Sequence, residues 1–532
     1  MKRKLLLVIV SLFVIEGWAQ STLRLGINFP MLNPETTNIP TYMNLVNESK
    51  TQIARQLTFG DVIWKNVEPT NNSWNFVFSD SVFMDYSNLD YIANLYCMSM
   101  KDTLGYQVPW KACTDAENPA CRWIAARDSN DTKQYLDTIV KRYGNVIKYW
   151  EIGNEVENHT YPASFPLAQF VQFFRYNYRW IKSSDANAKV VIPSFIGTYG
   201  VPLQSKYDWL RNFFNLGGGS YIDIIAYHDY NSWWTLPLHI DSIISIRNSF
   251  GFQAKPIWLT ESSVSSNNTT PITPPYSSID EQAADVWRRS CLAWSKGIDL
   301  HIWHSLWSSA PPSEWQEFGI IDNHGKKKKS FHSYKLLSEK IIEFTSANLI
   351  SSGIISDDNE NGGNGVWVVK FVVNGHNKWV MWSPDNLTYS LTPNVNTKYR
   401  IQHVVPASLS ANGETAFFTK DSVEILSGGT KVFNLTSLPI LVEEDISYNI
   451  EEQMLSTFFE ISPNPANDYI EIKNHSSESM KINILDMSGK IIHFDVLQAK
   501  EIKKISSKEW MDGLYLYEIN NKTYSGKIIL QH

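Results

Sequence analysis

Between about Leu23 and Phe344 short apolar runs alternate with longer stretches of helical periodicity. The strand-like runs fall at Leu23–Phe29, Ile53–Phe59, Tyr91–Cys97, Val146–Ile152, Ala188–Pro193, Ile222–Tyr227, Pro256–Thr260 and Ile298–Leu306. Amphipathic stretches such as Asp131–Tyr143, Leu167–Ser183, Ile240–Ser249 and Ile279–Lys296 lie between them. Strand and helix repeating at this spacing predict βαβ units around a parallel sheet. Eight strands over residues 20–345 predict an α/β fold, a (β/α)8 TIM barrel.

After Phe344 the period changes. Asp357–Gly365 is a Gly/Asn-rich turn, and Val366–Val373 with Lys378–Trp382 predict a hairpin around Asn374-Gly375. Alternating runs continue to Val442 without a helical stretch, so residues 346–445 are expected to form an antiparallel β-sandwich accessory domain. A polar linker, 446–457, leads to residues 458–532, whose short strands predict a small C-terminal β-sandwich. At the other end, Lys2, Arg3 and Lys4 precede the apolar run Leu5–Ile15 and the small residues Gly17 and Ala19. That order predicts a signal peptide over 1–19 and a protein exported from the cytoplasm.

Composition narrows the classes of function. A chain of 532 residues is too long for one core and calls for several domains. A net charge of −7 leaves no basic surface for nucleic acid, and no later run is long enough to span a membrane. The 20 Trp and 25 Tyr suit stacking on sugar rings as well as core filling, so they do not decide between the two. Of the four cysteines, Cys113 and Cys121 bracket a polar loop, which makes a disulfide between them an expectation in an exported protein. Cys97 and Cys291 are expected as free buried thiols. No Cys/His spacing calls for a metal, and neither metal nor cofactor is expected.

Barrel enzymes place their chemistry at the C-terminal ends of the strands, and two acidic residues meet that condition. The run Ile147–Ile152 leads into Gly153-Asn154-Glu155, and Pro256–Thr260 leads into Glu261. Their separation of 106 residues fits about three βα units with an insertion, so strand four and strand seven would carry them on opposite sides of the mouth. Two carboxyls so placed suit cleavage of a glycosidic bond, one donating a proton and the other attacking or stabilising the anomeric centre.

The barrel region resembles clan A of the glycoside hydrolases, retaining enzymes on a (β/α)8 barrel, and is closest to family 39. The likeness rests on Tyr149-Trp150-Glu151-Ile152-Gly153-Asn154-Glu155, on Tyr227-His228-Asp229-Tyr230, on Thr260-Glu261 and on His301-Ile302-Trp303-His304-Ser305. It implies Glu155 as acid/base, Asn154 as ligand of the sugar 2-hydroxyl and Glu261 as nucleophile. It further implies Tyr230 as the nucleophile's hydrogen-bond partner, His228 in the substrate pocket, and Trp303 as the floor of the sugar site, with Trp307 competing. Arg55, with Trp64 and Glu68-Pro69, resembles the second strand and its loop, which places Arg55 beneath the nucleophile to keep it ionised. Glu151 and Glu157 fall off the motif positions and are expected to be structural. The expected reaction is double displacement on β-linked plant or algal polysaccharide or oligosaccharide, against the alternative of a noncatalytic polysaccharide-binding surface protein.

The last segment, with Pro463-Asn464-Pro465-Ala466, Asp486-Met487-Ser488-Gly489-Lys490 and Gly513-Leu514-Tyr515 in that order, resembles the sorting domain of the type IX secretion system of Bacteroidota. The resemblance implies the type IX machinery as a partner and a secreted or surface-attached destination.

Overall fold

A computed structural model describes residues 23–29, 38–56, 62, 64–70, 72–95, 129–157, 167–197, 201–266, 278–308, 317–393, 397–445, 459–519 and 524–531. The signal peptide, Cys97, Cys113, Cys121 and the linker lie outside these residues. The chain divides into two compact units. One holds residues up to 389 with 402–420 and 433–442, and the other holds 390–401, 421–432 and the residues from 443 onward.

The first unit contains the predicted barrel. Its strands are β1 (Leu25–Phe29), β2 (Ile53–Gln56), β3 (Asp90–Leu95), β4 (Ile147–Ile152), β5 (Lys189–Val191), β6 (Ile225–His228), β7 (Ile257–Ser262) and β8 (Leu300–Trp303). They form one sheet in the order β5-β4-β3-β2-β1-β8-β7-β6, and every pairing recorded between them is parallel. The circle closes between β5 and β6 through the parallel bridges Val191–Ile224 and Phe195–Tyr227. Strands buried on both faces need apolar side chains on both, which is why they read as continuous apolar runs rather than alternating ones. Gly26 lets β1 sit close to its neighbours, since a Cβ there would lie 2.8 Å from the Ile53 side chain and 3.0 Å from that of Ile302.

The ladder shifts register in two places that matter, between Tyr227 and His228 on β6 and between Leu259 and Ser262 on β7. Such irregularities re-aim the side chains that follow them. Both occur at the C-terminal end of the barrel.

The helix Ile279–Ser295 starts at Ser278, whose hydroxyl accepts from the Glu281 amide, and is buried from Gln282 to Trp294. A helix with no solvent face must neutralise its own charges. Arg288 pairs with Glu281 and Asp285, and Arg289 with Asp285. Cys291 in the same helix is a buried free thiol.

Beyond the barrel, β9 (Phe344–Ser351), β10 (Trp367–Val373) and β11 (His376–Trp382) run antiparallel in succession. The predicted turn is there: Asn374 at φ 52° and Gly375 at φ 80° both take the left-handed conformation that a two-residue hairpin requires.

In the second unit, residues 459–531 form two antiparallel sheets. One comprises Phe459–Ser462, Tyr469–Asn474 and Ile502–Ser506; the other Met480–Leu485, Ile491–Leu497, Gly513–Ile519 and Tyr524–Leu530. Ile470, Ile472, Ile482, Ile484, Leu497 and Ile528 are buried in one cluster. The Asp486 carboxylate accepts from the amides of Ser488 and Lys490, and Gly489 supplies φ 85°. This explains the Asp-x-x-Gly-Lys spacing as a self-capped turn.

Candidate active site

The C-terminal ends of the strands bring most of the expected residues together. Arg55, on β2 and fully buried, sits at the centre. Its Nε and Nη2 donate to the two oxygens of Glu151 at 2.6 and 3.0 Å, its Nη1 to Glu261 Oε1 at 2.7 Å, and its Nη2 also to Asn154 Oδ1 at 2.5 Å. Burial alone would lower the Arg55 pKa, but Glu151 and Glu261 outweigh it and raise the value. A buried guanidinium flanked by two carboxylates stays charged.

Glu261 is 4% exposed. Its Oε1 takes the Arg55 bond and its Oε2 accepts from the Tyr230 hydroxyl. Burial pushes its carboxyl up, yet nearby His228, His304 and Arg55 prevail, and its pKa is held below the ordinary value despite the neighbouring Glu155. His304 is itself shifted down by burial. Arg55, whose pKa is raised, is a fixed positive charge beside Glu261. Tyr230 is raised well above its usual pKa, by burial first and by Glu261 and Glu155 next, so it remains a neutral donor.

Thr260 and Glu261, neighbours in sequence, both turn into the barrel. Thr260 Oγ1 lies 2.7 Å from Ser194 Oγ, and Ser194 bonds the same Glu151 that Arg55 holds. Strict strand alternation would send one of the two outward. The register shift on β7 permits both.

Glu155 follows β4 in a left-handed conformation, φ 45°. For a residue with a side chain this costs about 1–2 kcal/mol. The Glu155 amide donates to Ser194 O at 2.7 Å and Asn154 bridges to Ser194, so the backbone of the neighbouring strand holds the turn. Strained backbone of this kind concentrates at functional sites.

His228 joins the two carboxylates, its Nδ1 lying 2.7 Å from Glu155 Oε1 and 3.5 Å from Glu261 Oε2. One oxygen of Glu155, one of Glu261 and a His228 nitrogen all lie within 4.8 Å of one another, a set that offers ligand atoms to a metal ion. Each oxygen of Glu261 already accepts a hydrogen bond, from Arg55 or Tyr230, and the Arg55 guanidinium would repel a cation there.

The floor differs from the expectation. Trp303 is fully buried and its indole N–H donates to Phe318 O at 3.2 Å, so its ring offers no open face. Along β8, His301 reaches outward to Ser290 of the helix Ile279–Ser295, at 2.7 Å, and Trp303 shares that side. Alternation then turns His304 inward. Its ring packs edge-on against Tyr230 with centroids 5.7 Å apart, and its Nδ1 lies 3.6 Å from Glu261 Oε2. Trp307, the competing choice, stacks on Tyr42 at 5.4 Å. Glu151 is structural, as expected, but as the anchor of Arg55. Glu157 accepts from the Ile196 amide, and burial with the charge of Glu155 pushes its carboxyl up to about 8.

Residues 168–295 match the family described as "Glycosyl hydrolase catalytic core", a span that includes Tyr230 and Glu261. Residues 460–531 match the "Secretion system C-terminal sorting domain". No curated protein matches the chain. Among solved structures, a family 39 glycoside hydrolase of Bacteroides cellulosilyticus WH2 is similar with a TM-score of 0.56 and 14% identity, over 79% of this chain and 80% of that one. A glucosidase from Croceicoccus marinus gives 0.53 and 14%, over 80% and 96% of the two chains. An alpha-L-arabinofuranosidase of Thermotoga maritima gives 0.51 and 12%, over 80% and 96%. At these identities the solved structures speak for the fold alone. The barrel therefore holds a match to a glycosyl hydrolase catalytic core over residues 168–295, and the chain carries a C-terminal sorting domain for type IX secretion to the cell surface or beyond it.

Proposed function

We propose that the protein is a retaining glycosidase of the clan A type, with Glu261 as nucleophile and Glu155 as general acid/base. The observation that carries this is the spacing of the two carboxylates, whose nearest oxygens lie within 4.8 Å. Retaining enzymes hold their carboxyls about 5–5.5 Å apart, whereas inverting ones leave about 6.5–9.5 Å for a water.

In the first step Glu261 attacks the anomeric carbon while Glu155 gives its proton to the departing oxygen. In the second, Glu155 takes a proton from water, which displaces Glu261 from the glycosyl-enzyme. The environments suit these roles. Arg55 and Tyr230 keep Glu261 ionised and aimed, and Glu155 has His228 at 2.7 Å as a proton partner. Asn154, adjoining Glu155 and held by Arg55, is placed for the sugar 2-hydroxyl, and His304 lies beside the carboxylates where the ring of the bound sugar would rest. A β-linked plant or algal polysaccharide or oligosaccharide is the proposed substrate. It rests on the likeness to the family 39 motifs and on export by the sorting domain.

The test is a panel of defined plant and algal glycans, assayed for reducing ends with the wild-type protein and with Glu155→Gln and Glu261→Gln. Turnover lost in both variants, with unchanged circular dichroism, supports the assignment. Glycan binding that survives both substitutions, without wild-type turnover, would replace it with a binding role.

A further inference from the structure

Two residues that touch the carboxylates, His228 and Tyr230, flank a third that does not. Asp229 is fully buried and points away, but its amide donates to Glu261 O at 2.9 Å. Its Oδ2 lies 2.6 Å from His239 Nδ1, and its Oδ1 accepts from the Asn231 amide and side chain, each at 2.9 Å. The other nitrogen of His239, Nε2, lies 2.7 Å from Asp357 Oδ1. Asp357 belongs to the connection between β9 and β10, outside the barrel.

We propose that His239 is a positioning residue for the catalytic carboxylates: pinned between Asp229 and Asp357, it fixes the turn that presents His228 and Tyr230. The proposal rests on the assignment of Glu155 and Glu261 as the catalytic pair.

Three observations support it. Both ring nitrogens of His239 face carboxylate oxygens, an arrangement that favours a proton on each. Burial lowers its pKa, but Asp229 first and Asp357 next reverse this, and the value is raised. The groups facing the ring are Asp229, Asp357 and Lys206, the last at 3.1 Å from Nε2 and 2.9 Å from Asp357. Thr235 Oγ1 is 3.5 Å from Nδ1 and the Tyr207 ring packs edge-on; Arg289, from the helix behind, reaches Asp229 O and Asn231 O.

The connection also grips the rest of the turn. Asn359 Oδ1 accepts from the Ser232 amide at 2.7 Å, and Asn359 Nδ2 donates to Asn231 Oδ1 at 2.9 Å. The Trp234 indole donates to Asp358 O at 2.8 Å. A segment beyond the barrel therefore completes the support for the β6 turn, and small displacements at such a site are costly to turnover.

The experiment uses the full chain with Asp357→Asn, and Asp357→Glu as the rescue. Proton affinity of the His239 ring, read by NMR titration, should fall about tenfold in Asp357→Asn. Amide exchange at Asp229 and Asn231 should speed up about tenfold. On a 4-nitrophenyl glycoside turned over by the wild type, kcat should fall about tenfold with KM within a factor of about two, and the alkaline limb of kcat should move to lower pH. Asp357→Glu should recover part of the loss. Unchanged exchange and titration overturn the clamp. A clamp that loosens while kcat and its pH profile stay put overturns the positioning role. A wild type inert on every glycoside sinks the glycosidase reading instead, and exchange then decides the clamp alone.

Discussion

Nδ1 of His228 lies 2.7 Å from Glu155 and 3.5 Å from Glu261, so a single imidazole touches both carboxylates. The ring is fully buried and stands on the β6 register shift. It ties the separation of the two acids to the backbone of β6 instead of leaving it to two flexible side chains. His228→Ala should lower kcat/KM by about 10²–10³-fold while leaving substrate scope unchanged, as expected for lost orientation of an acid/base group. Steady-state kinetics across the glycan panel check it.

Arg55 is the shared partner of Glu151, Asn154 and Glu261. Arg55→Leu leaves two buried carboxylates without their shared guanidinium and should destabilise the protein by about 3–5 kcal/mol in urea unfolding. Glu261 has a folded pKa below its unfolded one. Its contribution to stability is thus present above the unfolded value and is lost as pH falls through the folded value. Without Arg55 that folded value rises, and the acid limb of kcat/KM moves to higher pH.

Tyr230 donates to the nucleophile from a buried position. A hydrogen bond to a charged group contributes about 1.5–3 kcal/mol, so Tyr230→Phe should cost about 10–150-fold in kcat/KM. A loss below twofold would remove Tyr230 from the site.

Trp303 and His304 make a matched pair of opposite expectations. Trp303→Ala should cost about 3–5 kcal/mol of stability, as for any fully buried indole, with KM unchanged in the folded fraction. His304→Ala should leave the melting temperature nearly intact and raise KM.

Glu157 titrates at about 8 when folded, against an ordinary carboxyl value when unfolded. Between those two values the unfolded state binds fewer protons, so stability falls as pH rises. Glu157→Gln removes that loss. Its melting temperature should match the wild type near pH 5 and exceed it near pH 9.

The barrel, the hairpin at Asn374-Gly375 and the pair Glu155 and Glu261 were legible because each follows from local pattern: apolar runs, a turn dipeptide, and carboxylates closing two of those runs. Arg55, His228 and Tyr230 were named through motif likeness, and each lies within hydrogen-bond distance of Glu155 or Glu261. His304 was not, because whether residue 303 or 304 faces inward depends on the phase of β8, and tryptophan is the more familiar sugar platform. Glu151 and Ser194 were missed as partners of the site for a similar reason. Their roles depend on inter-strand register, and the bulge on β7 that turns Thr260 and Glu261 the same way leaves no mark in composition. The hold of Asp357 and Asn359 on the β6 turn joins segments far apart in sequence, beyond the reach of any local pattern.

The most direct test of the central claim is the stereochemistry of the product. Proton NMR followed from the first turnover on an active glycan should show the anomer of the substrate's own configuration appearing first, with the other arising later by mutarotation. First appearance of the opposite anomer would mean single displacement by water, and the nucleophilic role of Glu261 would have to be abandoned.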